Sequence, residues 1–130
     1  MQDISKELNL SIALNATAIS SNTTTAGAAI DLQGYEALLL EIRSHAWTDG
    51  TYTPLVRESD DNSTYTDVAD DDLTILEADA AIGAANTVKK IGYVGHKRYV
   101  KLSIVSTGVT SGANIGATAI RGHARHNPVS

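Results

Sequence analysis

Between Gly34 and Val68 apolar residues recur at every second position and turn-forming residues separate the runs, a pattern that only β-strands satisfy. Leu38, Leu40 and Ile42 fall on one face of the run from Tyr35 to Arg43, with Leu39, Glu41 and Arg43 on the other. Leu39 on the second face implies that this face is also partly covered. Trp47, Thr48, Asp49 and Gly50 then lead into a second run, Thr51 to Glu58. Asp49-Gly50 supplies the positive φ that a tight hairpin requires. Pro54 cannot donate a ladder hydrogen bond, so its strand is expected at an edge or a bulge. An acidic turn, Ser59 to Ser63, precedes a third short strand, Thr64 to Val68. Three strands joined by short turns predict a β-meander, a surface to be bound rather than a reactive centre.

The remaining segments carry the same period. Leu8, Leu10, Ile12 and Leu14 alternate with polar or small residues and predict a half-buried strand. Thr17 to Ala29 offers little large apolar surface and is expected to be a loop or a weak edge strand, after which Ile30 and Leu32 return to the core. Leu73, Leu76 and Ala80 fit a short helix or a loop insert, and Gly83 limits its length. Val100, Leu102 and Ile104 alternate with Tyr99, Lys101 and Ser103, and a Gly-containing turn, Thr107 to Gly112, is expected to fold this strand back as a hairpin on Ala113 to Arg121. Gly116, Ala117 and Ala119 imply close sheet packing. With no long helix, the chain predicts an all-β fold: an antiparallel, jelly-roll-like β-sandwich. Its 130 residues read as a single domain, 1–130, with an extended N-terminal segment and a C-terminal arm from Gly122 onward.

Hydrophobic residues make up 42% and charged residues 19%, which excludes a wholly disordered chain and supplies one core. The net charge of −5 disfavours a nucleic-acid or membrane partner. Basic residues nevertheless crowd at Lys89, Lys90, His96, Lys97, Arg98 and Lys101, and acidic ones between Asp60 and Asp72. That separation suits steering between protein copies or onto a larger assembly. The absence of cysteine removes disulfides, thiolate metal sites and Cys nucleophiles. Residues 1–10 lack a signal-peptide apolar core, and no apolar run is long enough to span a bilayer, so synthesis in the cytoplasm is expected.

The chemically suggestive clusters weigh little against plainer roles. An EF-hand loop needs Gly at its sixth position and Glu at its twelfth, and neither Asp60 nor Asp61 as first residue satisfies both, so the acidic segment reads as turn chemistry. His123 and His126 are three apart around Arg125, but Gly122 and Pro128 oppose the helix that would bring the rings together. No nucleophile elbow and no P-loop is present, and no enzyme, cofactor or metal is expected. The five tyrosines read as core caps with their hydroxyls at the rim. Trp47, beside the Asp49-Gly50 turn, is the aromatic residue expected to reach another chain. The expected contact residues are Trp47, Asp49 and Tyr52, the Gly95 to Arg98 turn with His96, Lys97 and Arg98, and His123, Arg125 and His126 of the arm, together with the segment before Leu8.

Three strings carry a family resemblance: TDGTYTPL from Thr48 with ESDDNSTYT from Glu58, VKKIGYVGHKRYVKL from Val88, and GHARHNPV from Gly122. Together they resemble small structural proteins of tailed bacteriophages and prophages, the capsid decoration or cement proteins, over most of the stretch from Ile30 to Val129. The resemblance implies a β-sandwich on the outer surface of the phage head, binding the major capsid protein, as a small homo-oligomer (dimer or trimer) of the virion. It brings no catalytic residues with it. A tail, fibre or head-to-tail component is the alternative among virion proteins. A carbohydrate-binding β-sandwich, stacking sugars on Trp47 and tyrosines, is the alternative outside them.

Overall fold

The computed structural model describes residues 9–124, with the side chains of Glu36, His123 and Ala124 excepted. The expected N-terminal segment and the arm residues Arg125 and His126 lie outside the described residues. Among the described residues eight strands form: β1 (Asn9–Ile19), β2 (Thr24–Asp31), β3 (Tyr35–Trp47), β4 (Thr51–Ser59), β5 (Thr66–Asp67), β6 (Val88–Tyr93), β7 (Tyr99–Thr107) and β8 (Ala113–Ala124). They build two antiparallel four-stranded sheets, β1-β8-β3-β6 and β2-β7-β4-β5. Eight strands wound as two Greek keys into this order are a jelly roll, the all-β sandwich that the alternation predicts.

The connectivity differs from the expected meander. Asp49-Gly50 does turn the chain, and Gly50 has φ +96°. Yet β3 lies in one sheet and β4 in the other, so the turn is a corner between layers and not a hairpin. The Thr107–Gly112 turn does the same between β7 and β8. Among consecutive strands only β4 and β5 pair, through Arg57 with Asp67 and Glu58 with Thr66. The physical reason is burial. β3 presents Leu38, Leu40 and Ile42 inward and β4 presents Tyr52, Pro54 and Val56 inward, and placed face to face they bury each other.

The core collects these with Ile91, Val100, Leu102, Ile104, Ile115 and Ala119. A further expectation changes. Leu10 and Ile12 are 64% and 61% exposed, because β1 slips register against β8 between Ile12 and Leu14, which sends Ala13 and Leu14 inward instead. Of the two readings of Thr17 to Ala29, the edge strand holds: Thr17–Ile19 ends β1 and Thr24–Ala29 lies in β2, both at sheet edges. The segment after β5 forms two short 3₁₀ turns, Asp70–Asp72 and Glu77–Ala80, and no α-helix. That connection seals one flank. Tyr52 N–H donates to Ile82 O at 2.9 Å, Val56 N–H to Glu77 Oε2 at 2.6 Å, and Gly92 N–H to Thr74 Oγ1 at 2.8 Å. Pro54 lies between the first two, its nitrogen turned from β7 toward that flank, so the ladder loses no bond there.

Candidate functional site

The two ends of the sandwich hold different sets of the expected residues. β3 alone separates them by about 40 Å at the strand rise of ~3.3 Å per residue. At one end Asp49 stitches the corner 48–50 to the corner 108–112, and Asn22 ties in the corner 20–23 by accepting the Val109 N–H at 2.9 Å. The Asp49 Oδ1 accepts N–H bonds from Thr110 at 3.0 Å, Ser111 at 3.1 Å and Gly112 at 2.9 Å. Those amides hold the Asp49 carboxyl below its ordinary value. Tyr52 is completely buried, and its hydroxyl donates to Asp49 O at 2.8 Å. Trp47 packs against the core and donates from Nε1 to Gly50 O at 3.0 Å. For Tyr52 the expected projection toward a partner therefore gives way to an internal role, pinning the corner, whereas Trp47 is half-buried and keeps part of its ring at the surface.

The other end carries a recess of about 500 Å³ lined by Leu32, Tyr35, Tyr93, Gly95, His96 and Arg98, among others. It lies where the β2–β3 turn meets the 94–98 loop, tied by Leu32 N–H to Arg98 O at 2.7 Å. Here the expected His96, Lys97 and Arg98 come together. Arg98 grips Asp31 through two bonds of 3.0 Å, which lowers the Asp31 carboxyl and raises the guanidinium. Lys97 Nζ meets Asp60 Oδ2 at 2.8 Å, and that hydrogen bond raises the ammonium. Both cations are thus already paired, so Lys97 and Arg98 do not form a free anion site at this recess. His96 is exposed on the rim.

Tyr93 organises the recess floor. Its hydroxyl donates to Glu58 Oε1 at 2.7 Å and accepts the Lys97 N–H at 3.1 Å. Burial first, and the Glu58 carboxylate second, push the phenol far above its ordinary value, so it remains a neutral donor. Gly95 is required beneath it: a Cβ there would stand 2.5 Å from the Tyr93 hydroxyl. Behind Tyr35, the Arg121 guanidinium carbon lies 5.0 Å from the ring centroid, and Nη1 donates to Asp31 O at 2.8 Å while Nη2 reaches Asn9 Oδ1. Sequence reasoning missed Tyr93, Glu58, Asp31 and Arg121 as parts of one group, since they come from β6, β4, β2 and β8. The one available signal was Arg121 itself, a large cation in a strand of small residues.

The acidic segment beside this end behaves as turn chemistry. Asp61 Oδ1 accepts the N–H groups of Ser63 at 2.9 Å and Thr64 at 3.0 Å and the Ser59 hydroxyl at 2.9 Å, which lower its carboxyl to about 2. Among the described residues no three His, Asp or Glu side chains converge as a metal site. His123's side chain, Arg125 and His126 are outside the described residues. The arrangement is a shaped recess with aromatic walls whose charged groups are held in fixed internal pairs.

No family model matches this chain, and no curated protein matches it. Two solved structures share its fold. The PBSX exported protein XepA aligns over 94% of this chain with a TM-score of 0.58 at 20% identity. The SPBc2 prophage-derived protein YomS aligns over 88% of this chain and 92% of its own, with a TM-score of 0.50 at 13% identity. The chain spans 39% of the length of XepA. The likeness is one of fold, shared with a PBSX exported protein and a prophage-derived protein.

Proposed function

We propose that this chain is a non-catalytic structural protein of a phage or prophage particle, and more finely a decoration protein that binds the major capsid protein on the head exterior as a small homo-oligomer. The observation that carries the proposal is the jelly roll shared with two phage-derived proteins. The surface chemistry supports it. Asp31, Asp49, Asp60, Asp61, Lys97 and Arg98 are all committed to internal hydrogen bonds or ion pairs. A rigid body of this kind gains affinity from repeated shallow contacts across a lattice. Net acidity suits a protein facing away from packaged DNA.

The recess end, with His96 on its rim, is the face assigned to the shell, since the opposite end spends Asp49, Tyr52 and the Trp47 Nε1 on its own corner. The carbohydrate reading is less favoured, because Trp47 is half-buried on the core with its Nε1 bonded to Gly50 O. The test is add-back. Purified chain is mixed with heads lacking it and sedimented. Saturable co-sedimentation that His96→Glu weakens supports the assignment, whereas binding confined to tails supports the tail-component reading and removes the decoration one.

A further inference from the structure

The two flanks of the sandwich are treated differently by the sequence. On the β4–β6 flank, Lys89 and Lys90 sit on β6, Asp67 on β5, and the 69–86 connection supplies partners to Tyr52, Val56 and Gly92. These are the devices by which edge strands avoid one another. The opposite flank pairs β1 of one sheet with β2 of the other, and from Asn9 to Ile30 there is no charged residue and no proline. Neither strand has a ladder partner on that side among the described residues. Leu10 and Ile12 project from it. Ile12 forms the edge of a groove of about 510 Å³ whose other walls include Leu14, Thr17, Thr25, Ala26 and Gly27. Gly27 makes the close approach possible, since a Cβ there would lie 2.1 Å from Ala13 O and 2.6 Å from Leu102 O.

We infer that this flank binds a second copy of the same chain, two-fold and antiparallel, with Leu10 and Ile12 of each copy seated in the small-residue groove of the other. Leu10 lies before the groove and Ile12 at its edge, so a two-fold can set this end of one copy against the Leu14–Thr17 stretch of the other, as an isologous contact does. Charge favours the same partner. Copies of a −5 chain repel over most approaches, and among the described residues the stretch from Asn9 to Ile30 on this flank lets them meet without like charges opposed. The area suffices: a strand of 11 residues, about 35 Å long, on a sandwich flank about 20 Å wide offers roughly 700 Å², near the ~800 Å² per partner of a stable complex. The register slips in β1 and β2 prevent one continuous shared ladder, so side-chain packing holds the pair. The inference deepens the homo-oligomer part of the proposed function and is tested without any phage component.

Sedimentation velocity on the purified full chain, from about 1 to about 100 μM, spans the affinities such an interface reaches. The expected result is a dimer that Ile12→Lys weakens about hundredfold. Val88→Lys, at a site on the opposite flank as exposed as Leu10, leaves it intact. In a chain without cysteine, Asn15→Cys near the middle of β1 is expected to give a disulfide-linked dimer on oxidation. This second variant keeps the test decisive if Ile12→Lys fails to fold. A wild-type chain that stays monomeric, or a dimer that survives Ile12→Lys with the Asn15→Cys thiol remaining free, overturns the inference. A monomer whose binding to heads is lost on Ile12→Lys overturns it too, and gives the flank to the shell. Failure of shell binding leaves a dimer result standing, so the two claims fail separately.

Discussion

The corner between β3 and β4 distinguishes the jelly roll from the meander that the same residues suggest, and Tyr52 tests it. In the sandwich its ring is completely buried against the second layer, and its hydroxyl donates to Asp49 O at 2.8 Å. Tyr52→Phe removes one hydrogen bond and keeps the ring, a cost of about 1 kcal/mol. Tyr52→Ala also empties the core beneath the corner, and truncation of a buried aromatic costs about 3–5 kcal/mol. With an unfolding entropy of about 2.1 cal/mol/K per residue, 130 residues give roughly 0.27 kcal/mol/K, so the two variants should melt about 4 °C and about 11–18 °C below wild type. Urea unfolding followed by far-UV circular dichroism gives the free energies, and calorimetry the melting points. The refuting result is Tyr52→Ala within about 0.5 kcal/mol of wild type, the range of exposed positions, since a solvent-facing hairpin tyrosine would behave that way.

Three further outcomes are expected. Tyr93→Phe should cost about 1.5–3 kcal/mol in urea, because a buried phenol loses its bond to the Glu58 carboxylate; a change under about 0.5 kcal/mol would remove Tyr93 from the recess floor. Gly27→Ala should destabilise by about 1–3 kcal/mol or more, since both atoms that its Cβ meets are backbone oxygens that move only with their strands; a neutral result by the same assay would contradict the close approach of β1 and β2. Asp61 has a folded value of about 2, below its unfolded one near 3.9, so its contribution is present above pH 4 and is lost as pH falls toward 2. Asp61→Asn should therefore lower stability at pH 6 and flatten the acid limb between pH 4 and pH 2. An acid limb unchanged by the substitution would show that the Ser59–Thr64 turn does not hold the carboxylate.

Strand existence was legible in the sequence because side-chain period is local: Leu38, Leu40 and Ile42 announce β3 without reference to anything else. Connectivity was not, because Asp49-Gly50 gives the same positive φ in a hairpin and in a corner, and only the burial of β3 against β4 decides between them. β1 misled for a related reason. The alternation Leu10, Ile12, Leu14 is genuine, but the register slip after Ile12 turns the first two outward, and a slip is set by pairing with β8. At the recess, the Gly95–Arg98 turn stood out by composition, whereas the partners that neutralise it, Asp31 and Asp60, lie far away in the chain. Trp47 was the opposite case. Its size and its place beside a turn suggested display, and the structure holds it half-buried, packed on the core and bonded to Gly50 O.

Imaging of purified particles tests the central claim most directly. A structural protein of the head exterior predicts density for this jelly roll at many icosahedrally repeated positions on the outer shell, with the recess end and His96 turned toward the capsid subunits. Density confined to the tail, or particles from which the chain is absent, would contradict it.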